Sequence, residues 1–587
     1  MTTQSRRMDN WYAWDFETSG NNAHTCTIVG VGITGFNIKS GEPHTSTFYP
    51  YDMFQSIPKD FFTSYTVAHN AKFELMIAKR LGWVFERTVH DTFIMAKTLH
   101  NAFPSYTLKY LSWVYFGDMY EELQDIRDWL QANSGKTEDD EDLFDLALPP
   151  LPLVSRYCLK DCANTAALAH QWYPELKDSY AYELDIETIP CVVDMECHGI
   201  HIDQEFYSEF VRLATRRMKR NKTTAAENMP ICKGRNPKGD ALREHLFELG
   251  EVRRTAKGHV AASEVVLRDW LGDAAVRAIA RIKSDEKNVG TYAANFLGAM
   301  DKDGLVFPSV RQSAAITRRF RGAGFYSSEG DKRKGNIQAV PHIMRLGITA
   351  RKGHLFYKQD LASIEARIFS AYMEMLLGVS DFADLYRVDK NFNVYVHVLK
   401  TCADEWDASK KHPLYAAYKH GVLARLYGSS VQRYTIQMRE DFELDYTEER
   451  CAAIFKEIDR NFPFIRDFQR FMMKLAETQG FVTDPFGSIY YFPPEDSYKI
   501  IAYLCQGSAG MVLKWWWCRI QPMLRQNNDK VVITVHDELD YEIQKHKVNG
   551  LTPRQRVKTY ADVLNELDLF DLPILAETDG PLKNWGD

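Results

Sequence analysis

Long hydrophobic runs are missing from this 587-residue sequence, in which no stretch approaches a membrane-spanning length. A helix needs about 20 predominantly apolar residues to cross a bilayer, so we expect no membrane span. The sequence also lacks a Cys-x-x-Cys pair, although it contains 10 cysteines. Scattered cysteines of this kind are typical of free thiols in a reducing compartment and argue against a disulfide framework or a zinc site.

An excess of positive charge is missing too. The 72 lysine and arginine residues are outnumbered by 79 aspartate and glutamate residues, which gives a net charge of −7. This balance excludes a histone-like protein that binds DNA through bulk positive charge, but a local basic cleft remains compatible with it. The opening residues MTTQSRRMDNWYAW contain no apolar core, so we expect no signal peptide and a cytoplasmic protein.

The remaining composition is that of a globular protein with several domains. Hydrophobic residues make up 45% of the chain and charged residues 26%, and a chain of this length divides into roughly three or four units. In the first unit, β-like runs at Thr25–Phe36 and His44–Pro50 precede the helical run AKFELMIAKRLG. This alternation predicts an α/β domain.

Punctuation and amphipathic patterns predict the first domain boundary. The acidic stretch Thr137–Asp145 and the proline-rich stretch Leu148–Val154 indicate an exposed loop. A helix is expected from Val154 to about Tyr180. A new amphipathic run starts near residue 181, so we place the boundary there.

Two basic patches lie in the helical, polar stretch between about residues 205 and 300. They are Arg216–Arg220 and Val252–Gly258. Each patch is compatible with a solvated helix face or with contacts to phosphate groups, which need positive charge but no particular spacing.

A pair of acids near the N-terminus is the first candidate site. Asp15 and Glu17 are separated by one residue in YAWDFETSG, and on a strand this spacing places both carboxylates on one face. Such a pair repels unless a divalent cation lies between the two groups. An isolated acid-x-acid triplet is also common as ordinary structure, so both interpretations stay open on these residues alone.

Two later segments add to this pair. AHNAKFELM contains Asn70, Phe73 and Glu74, and YCLKDCANTA contains Tyr157 and Asp161, which share one helical face. Taken in order with the N-terminal acids, these three motifs resemble those of the DEDD proofreading exonucleases in their tyrosine-bearing form.

This resemblance implies a metal-dependent 3′→5′ exonuclease. Asp15, Glu17 and Asp161 would hold two Mg²⁺ ions, which activate water and stabilise the leaving 3′ oxygen, and Tyr157 would orient the water. Glu74 departs from the family, which usually has aspartate there. The additional methylene moves the carboxylate by about 1.5 Å, and small displacements lower rates strongly. We therefore expect proofreading to be weakened or tuned, with an inactive exonuclease as the alternative.

Three segments of the C-terminal half form the second candidate site. The first is a strand that runs into an acid before a helix, the second is a helix with a four-residue repeat, and the third is a hairpin with acids at its tip. Each segment also has an interpretation without catalytic function. The acid of the first could be a helix cap, the second could be a helix face with a snorkelling lysine, and the third could be an exposed hairpin end. Their residues are Asp360; Lys419, Leu423 and Tyr427; and His536, Asp537 and Glu538.

In this order the segments closely resemble motifs A, B and C of the family A DNA polymerases. Other segments resemble the family as well, from the opening of the polymerase region at Met195–Asp203 to the template–primer segment Gly335–Pro341 and the palm helix segment Tyr503–Val512. The resemblance implies a DNA polymerase with a right-hand architecture.

By this resemblance, the acids and the lysine carry the chemistry. Asp360 and Asp537 would hold two Mg²⁺ ions, for which Mn²⁺ can substitute, with Glu538 in a secondary position. One metal lowers the pKa of the primer 3′-OH and the other neutralises the triphosphate. Lys419 would contact the incoming triphosphate and act as general acid.

Further residues would bind the nucleotide and the duplex. Glu365 and Tyr427 would form the steric gate against a ribose 2′-OH. Leu423 and His536 would lie beside the incoming nucleotide and the primer terminus, and Leu423 replaces an aromatic residue of many relatives. The residues expected on the DNA, in the minor groove where pair geometry is checked, are Arg319, Gln338 and Gln506.

The expected fold is α/β and α+β multidomain, with a ribonuclease H-like exonuclease domain followed by a polymerase hand. The expected ranges are 1–180 for the exonuclease and 181–587 for the polymerase, with the thumb at about 205–300, the fingers at about 376–480 and the palm at about 303–375 and 480–587. Primer–template DNA and dNTPs are the expected partners of a monomer, with a helicase-primase and a single-stranded DNA-binding protein as further partners. We expect a divergent, phage-encoded protein of the host bacterial cytoplasm.

Three rival functions stay open at this point. A DNA-binding remnant would have lost its activities, and a plain nuclease would have no need of Lys419 and Tyr427. Single-subunit RNA polymerases share the palm, but Glu365 as a gate favours deoxynucleotides.

Overall fold

The computed structural model describes residues 9–134, 145–229, 240–250, 267, 270–313, 315–326, 332–333, 335–403, 407–442 and 444–587. The strands are β1 Asn10–Thr18, β2 Ile28–Asn37, β3 Pro43–Pro50, β4 Tyr65–Ala68, β5 Val89–Asp91, β6 Ile200–Ile202, β7 Leu305–Arg311, β8 Arg321–Tyr326, β9 Lys332–Arg333, β10 Ile348–Thr349, β11 His354–Leu361, β12 Phe481–Thr483, β13 Ile489–Tyr491, β14 Lys530–Val535, β15 Glu538–Gln544 and β16 Ala576–Leu582.

The α-helices alternate with these strands in the N-terminal part and dominate the middle of the chain. They are α1 Lys59–Thr63, α2 Ala71–Arg80, α3 Thr92–Leu99, α4 Leu108–Phe116, α5 Glu121–Ser134, α6 Leu151–Leu176, α7 Tyr180–His198, α8 Gln204–Asn228, α9 Asp240–Leu249, α10 Ala274–Lys287, α11 Ala294–Ala299, α12 His342–Arg345, α13 Ile364–Leu377, α14 Asp381–Val388, α15 Val394–Ala403, α16 Tyr415–Leu426, α17 Val431–Phe442, α18 Glu448–Asn461, α19 Ile465–Gln479, α20 Ile500–Asn527 and α21 Pro553–Asp562. None of the described helices combines the length and the apolar character that a bilayer span requires.

A five-stranded sheet forms the N-terminal part, in the order β3-β2-β1-β4-β5. β1 pairs antiparallel with β2 and parallel with β4, and the side chains of Trp11–Trp14 on this central strand are all buried. The predicted strands at Thr25–Phe36 and His44–Pro50 are confirmed as β2 and β3. The predicted helix AKFELMIAKRLG is confirmed as α2.

The loop predicted at Leu148–Val154 is wrong in its second half, because α6 already begins at Leu151. Pro152 is the second residue of this helix, where the missing N–H has no intrahelical partner to lose. The neighbouring acidic stretch lies outside the described residues, apart from Asp145.

The helix α7 is shared by two hydrophobic cores. Its side chains Tyr182, Ile186, Ile189 and Val193 lie in the core of the N-terminal sheet. On its other sides Ala181, Leu184, Cys191, Val192 and Met195 lie in the core of the C-terminal part. Ser179 starts this helix by accepting a hydrogen bond from the backbone N–H of Tyr182. The predicted boundary near residue 181 therefore falls at the start of a helix that joins both parts.

The C-terminal part is built around a four-stranded antiparallel sheet in the order β14-β15-β11-β16. The 28-residue α20 is buried on nearly all sides and packs against α7 and α13. The helical character expected between residues 205 and 300 is confirmed for the described residues, and the basic patch Arg216–Arg220 lies in α8. The patch Val252–Gly258 lies outside the described residues.

Candidate active sites

Three carboxylates meet at one end of the four-stranded sheet. Asp360 is the penultimate residue of β11 and lies opposite Glu538 of β15 in the antiparallel register. Asp537 is in the turn between β14 and β15, and its carbonyl oxygen accepts a hydrogen bond of 3.1 Å from the N–H of Leu361. His536 makes this turn with a φ of +54°. The hairpin expected from the sequence thus brings its acids to the end of the strand that carries Asp360.

Burial and nearby negative charge disfavour the ionised forms of Asp360 and Asp537. Burial, followed by the charges of Asp537 and Glu538, raises the pKa of Asp360 to about 7, while Lys419 acts in the opposite direction. Burial also raises the pKa of Asp537, and Arg319 opposes it. A divalent cation with oxygen ligands relieves this repulsion, so the donor set fits Mg²⁺.

Arg319 lies within this acidic group. Its Nη2 lies 2.6 Å from Oε1 of Glu365 and 2.8 Å from Oδ2 of Asp537. Gly510 of α20 allows the close approach, because a Cβ at this position would lie 3.3 Å from Cγ of Arg319. The guanidinium expected on the duplex therefore neutralises two acids of the site.

The two residues expected to form a steric gate contact each other directly. The hydroxyl group of Tyr427, which follows the last residue of α16, donates a hydrogen bond of 2.5 Å to Oε2 of Glu365 in α13. Lys419 is exposed two turns earlier on α16, with its Nζ 5.5 Å from the ring centroid of Tyr395. Leu423 lies half-buried between them.

The remaining residues predicted to contact DNA lie on neighbouring elements. The side-chain amide of Gln338 donates to the carbonyl of Thr534 at 3.3 Å and accepts from the N–H of Gly322 at 3.1 Å. Gln506 lies half-buried on α20, one turn before Gly510. A further acid that the sequence did not indicate lies beside the site. It is Glu577 of β16, which is opposite Asp360 in the antiparallel register.

The first candidate site of the sequence lies on the N-terminal sheet. A carboxylate oxygen of Asp15, one of Glu17 and the Sγ of Cys158 lie within 4.8 Å of one another. The Cys158 thiol donates a hydrogen bond to the carbonyl oxygen of Asp15 at 3.3 Å, and burial raises its pKa. Cys158 is therefore a protonated thiol beside the acids, and hard cations such as Mg²⁺ prefer the two carboxylates.

Glu74 joins this cluster from α2. Its Oε2 accepts a hydrogen bond of 3.0 Å from the backbone N–H of Phe16, the residue between the two acids of β1. Burial, followed by the charge of Asp15, raises the pKa of Glu74. The longer side chain thus lies at the main chain of β1, beside Asp15 and Glu17.

α6 places Tyr157 and Asp161 one turn apart at the same cluster, as expected. Oδ2 of Asp161 accepts a hydrogen bond of 2.6 Å from Nζ of Lys109, a residue that the sequence analysis missed. Among the described residues, Oδ1 of Asp161 and Oε1 of Glu17 are buried without a hydrogen-bond partner. Burial and the charge of Asp161 raise the pKa of Asp15 to about 8. Buried unpartnered oxygens among repelling acids fit a divalent cation.

Comparisons with known proteins identify a family and relatives of this chain. The model of DNA polymerase family A matches residues 212–587. The chain is 22% identical over 573 residues to the DNA polymerase DpoZ of Vibrio phage phiVC8, covering 89% of this chain and 87% of the relative. It is also 22% identical over 577 residues to DpoZ of Salmonella phage PMBT28, covering 88% of each.

A solved structure shares the fold. It is the polymerase domain of Pol1 from M. smegmatis in complex with a DNA primer-template and dNTP, with a TM-score of 0.77 and 15% identity over 99% of this chain and 97% of that chain. This similarity confirms the predicted mixed α/β multidomain fold class.

Proposed function

The chain belongs to DNA polymerase family A, and from this premise we propose that it extends a primer 3′-OH with dNTPs on a DNA template by two-metal catalysis. The observation that carries this proposal is the meeting of Asp360, Asp537 and Glu538 at one sheet end, beside the hydrogen-bonded Glu365–Tyr427 pair. Phage replication is the proposed task, since the curated relatives are phage polymerases.

In this proposal, Asp360 and Asp537 hold the divalent cations, with Mg²⁺ preferred and Mn²⁺ as a substitute. When bound, the metals activate the primer hydroxyl and neutralise the triphosphate. Lys419 supplies a further positive charge to the triphosphate from an exposed position on α16. The Glu365–Tyr427 pair presents a bulky polar surface that excludes a ribose 2′-OH.

Arg319 has two roles in the same proposal. Its guanidinium contacts Glu365 and Asp537. To reach the minor groove together with Gln338 and Gln506, its guanidinium has to release Asp537, whose charge is then available for the metal.

We further propose a 3′→5′ exonuclease at the site on the N-terminal sheet, within residues 1–180, ahead of a polymerase region at 181–587. Asp15, Glu17 and Asp161 hold the cations, Tyr157 orients the attacking water and Glu74 supports β1. The two buried unpartnered carboxylate oxygens support this function. An inactive exonuclease is the competing proposal, since Glu74 lies at a position where the family usually has aspartate.

The cellular setting belongs to the same proposal. The protein acts as a monomer in the host bacterial cytoplasm on primer–template DNA and dNTPs, alongside a helicase-primase and a single-stranded DNA-binding protein.

Primer extension tests the polymerase. An end-labelled primer on a longer DNA template with Mg²⁺ and four dNTPs is expected to be extended by the wild-type protein and not by Asp537→Ala. The exposed Asp579→Ala on β16 is the control and extends normally. A folded, DNA-binding wild-type protein that does not extend would leave the remnant interpretation.

Primer shortening tests the exonuclease. Without dNTPs the wild-type protein shortens the label-bearing strand from its 3′ end, and Asp15→Ala does not. A primer that stays intact with the wild-type protein shows that this polymerase does not proofread.

A further inference from the structure

A lysine lies among the acids of the proposed nuclease centre. Lys109 is the second residue of α4, and its Nζ lies 2.6 Å from Oδ2 of Asp161. The same nitrogen lies 4.7 Å from the ring centroid of Tyr157 and 5.1 Å from that of Tyr120. A carboxylate and two aromatic faces thus surround the ammonium group, and each of them stabilises a fixed cation.

This contact determines which oxygen of Asp161 is available. The Asp161 side chain is 5% exposed. Its Oδ2 is bound to Lys109, whereas Oδ1 is buried without a hydrogen-bond partner among the described residues. Lys109 therefore holds the carboxylate in an orientation that leaves Oδ1 for another cation.

The charge of Lys109 also bears on metal binding. Its Nζ lies 2.6 Å from Oδ2 of Asp161, one of the three acids proposed to hold the cations. A positive charge at this distance from a ligand repels a divalent cation bound to the same acids.

We propose that Lys109 is a positioning residue of the nuclease centre and its built-in cation: it fixes the Asp161 carboxylate for cleavage and weakens the binding of divalent metal by the same acids. The proposal rests on the proposed exonuclease function and adds one residue to it. The loss of Lys109 is expected to slow cleavage but to strengthen metal binding. The loss of a residue that only supports the structure would weaken both.

Three variants test the role in cleavage, with Lys160 as the matched control. Nζ of Lys160 lies 2.8 Å from Asp118, and its side chain is 33% exposed against 34% for Lys109. Lys109→Met is expected to lower the rate of 3′ shortening at saturating single-stranded DNA by about 100-fold, the effect of a misplaced catalytic group. Lys109→Arg retains most of the rate, because its guanidinium also donates to a carboxylate, and Lys160→Met is unchanged. Primer extension with dNTPs stays normal in all three variants.

Metal binding gives the second readout. Free Mn²⁺ is titrated by electron paramagnetic resonance in proteins that also carry Asp537→Ala, which removes an acid of the palm. Lys109→Met is expected to bind Mn²⁺ about tenfold more tightly than its parent, as removal of one nearby positive charge requires. Lys160→Met binds it as the parent does.

Two results would overturn the proposal. One is a Lys109→Met protein that cleaves at the wild-type rate, and the other is one that binds Mn²⁺ equally well or more weakly. A wild-type protein that shortens no primer counts against the nuclease function itself, and the Mn²⁺ titration then still decides whether Lys109 opposes metal binding.

Discussion

Single residues set the electrostatic character of both centres, because each is made of acids that the fold has removed from water. The pKa of Asp360 rises to about 7 and that of Asp15 to about 8, with burial as the first cause in both cases. A bound cation offsets the repulsion between these carboxylates. Both centres are therefore expected to be less stable without metal than with it.

The pKa of Asp15 predicts how the stability of the metal-free protein depends on pH. The folded state binds a proton up to about pH 8, whereas the unfolded state releases it above about pH 4, so folding stability falls as pH rises between these values. Asp15→Asn removes this contribution. In thermal unfolding with EDTA, we expect Asp15→Asn to be increasingly more stable than wild type from pH 5 to pH 8, by at most about 1.4 kcal/mol per pH unit.

The exposed Asp52→Asn is the control for this measurement and should follow the wild-type curve. A stability difference between Asp15→Asn and wild type that stays constant over this pH range would contradict the placement of Asp15 among buried acids.

At this scale the sequence predicted the acids but not their neighbours. Spacing on strands and turns is a local property, and it was enough to identify the acids Asp15, Glu17, Asp360 and Asp537. Lys109 and the acids of the nuclease centre are brought together by the packing of α4 on α6, which no local spacing encodes.

At the scale of elements, a buried ion cluster ties α7 to α20 and to the segment before β8. Asp185 of α7 accepts a hydrogen bond of 2.5 Å from Nζ of Lys514 and binds the guanidinium group of Arg318. All three side chains are at most 5% exposed. Arg318, which has a φ of +56°, directly precedes Arg319. The cluster therefore holds the backbone that brings Arg319 to Glu365 and Asp537.

Removal of the only acid of this trio is expected to be costly. Asp185→Ala leaves two buried cations facing each other, and we expect it to lower the free energy of unfolding by about 3–5 kcal/mol. The exposed Glu187→Ala on the same helix should change it by less than about 0.5 kcal/mol. Urea unfolding checks both values. A loss of unfolding free energy in Asp185→Ala no larger than that in Glu187→Ala would contradict the role of the ion cluster.

Hydrophobic periodicity predicted most elements around the sites, including β2, β3, α2 and α16. It failed where tertiary pairing replaces local preference. β16 is a mostly polar and exposed strand, AETDGPL, that exists because it pairs with β11. A proline-rich start concealed the first turn of α6.

At the scale of the whole molecule, the two candidate centres share a frame. Nζ of Lys72 in α2 lies 2.7 Å from Oε1 of the buried Glu196 in α7 and 2.7 Å from the carbonyl oxygen of Val310 in β7. Lys72 is two residues from Glu74, so the helix that brings Glu74 to Asp15 and Glu17 is anchored on α7 and β7.

This anchor predicts a dependence of the nuclease on the rest of the chain. Lys72→Met leaves the Glu196 carboxylate buried without its cation and releases α2. We expect primer shortening to fall by about tenfold or more while primer extension is retained. Lys79→Met is the control. Lys79 also lies on α2, and its ion pair with Asp194 is partly exposed. Equal shortening by both variants would show that the anchor does not act on the nuclease.

The division of the chain was predictable only in part. The amphipathic run expected to start near residue 181 corresponds to α7, which starts at Tyr180. That α7 serves both hydrophobic cores is a consequence of packing on two sides, which a single amphipathic pattern does not reveal.

The central claim, two centres of opposite chemistry acting on one primer end, is tested most directly by nucleotide turnover. A primer–template is supplied with only the next complementary dNTP, labelled at its α-phosphate, and the release of labelled dNMP is measured over time. The wild-type protein is expected to add and remove this nucleotide repeatedly and so to accumulate dNMP, whereas Asp537→Ala and Asp15→Ala each release none. Wild-type protein that extends the primer without forming dNMP, or dNMP formation that survives either substitution, would contradict the account.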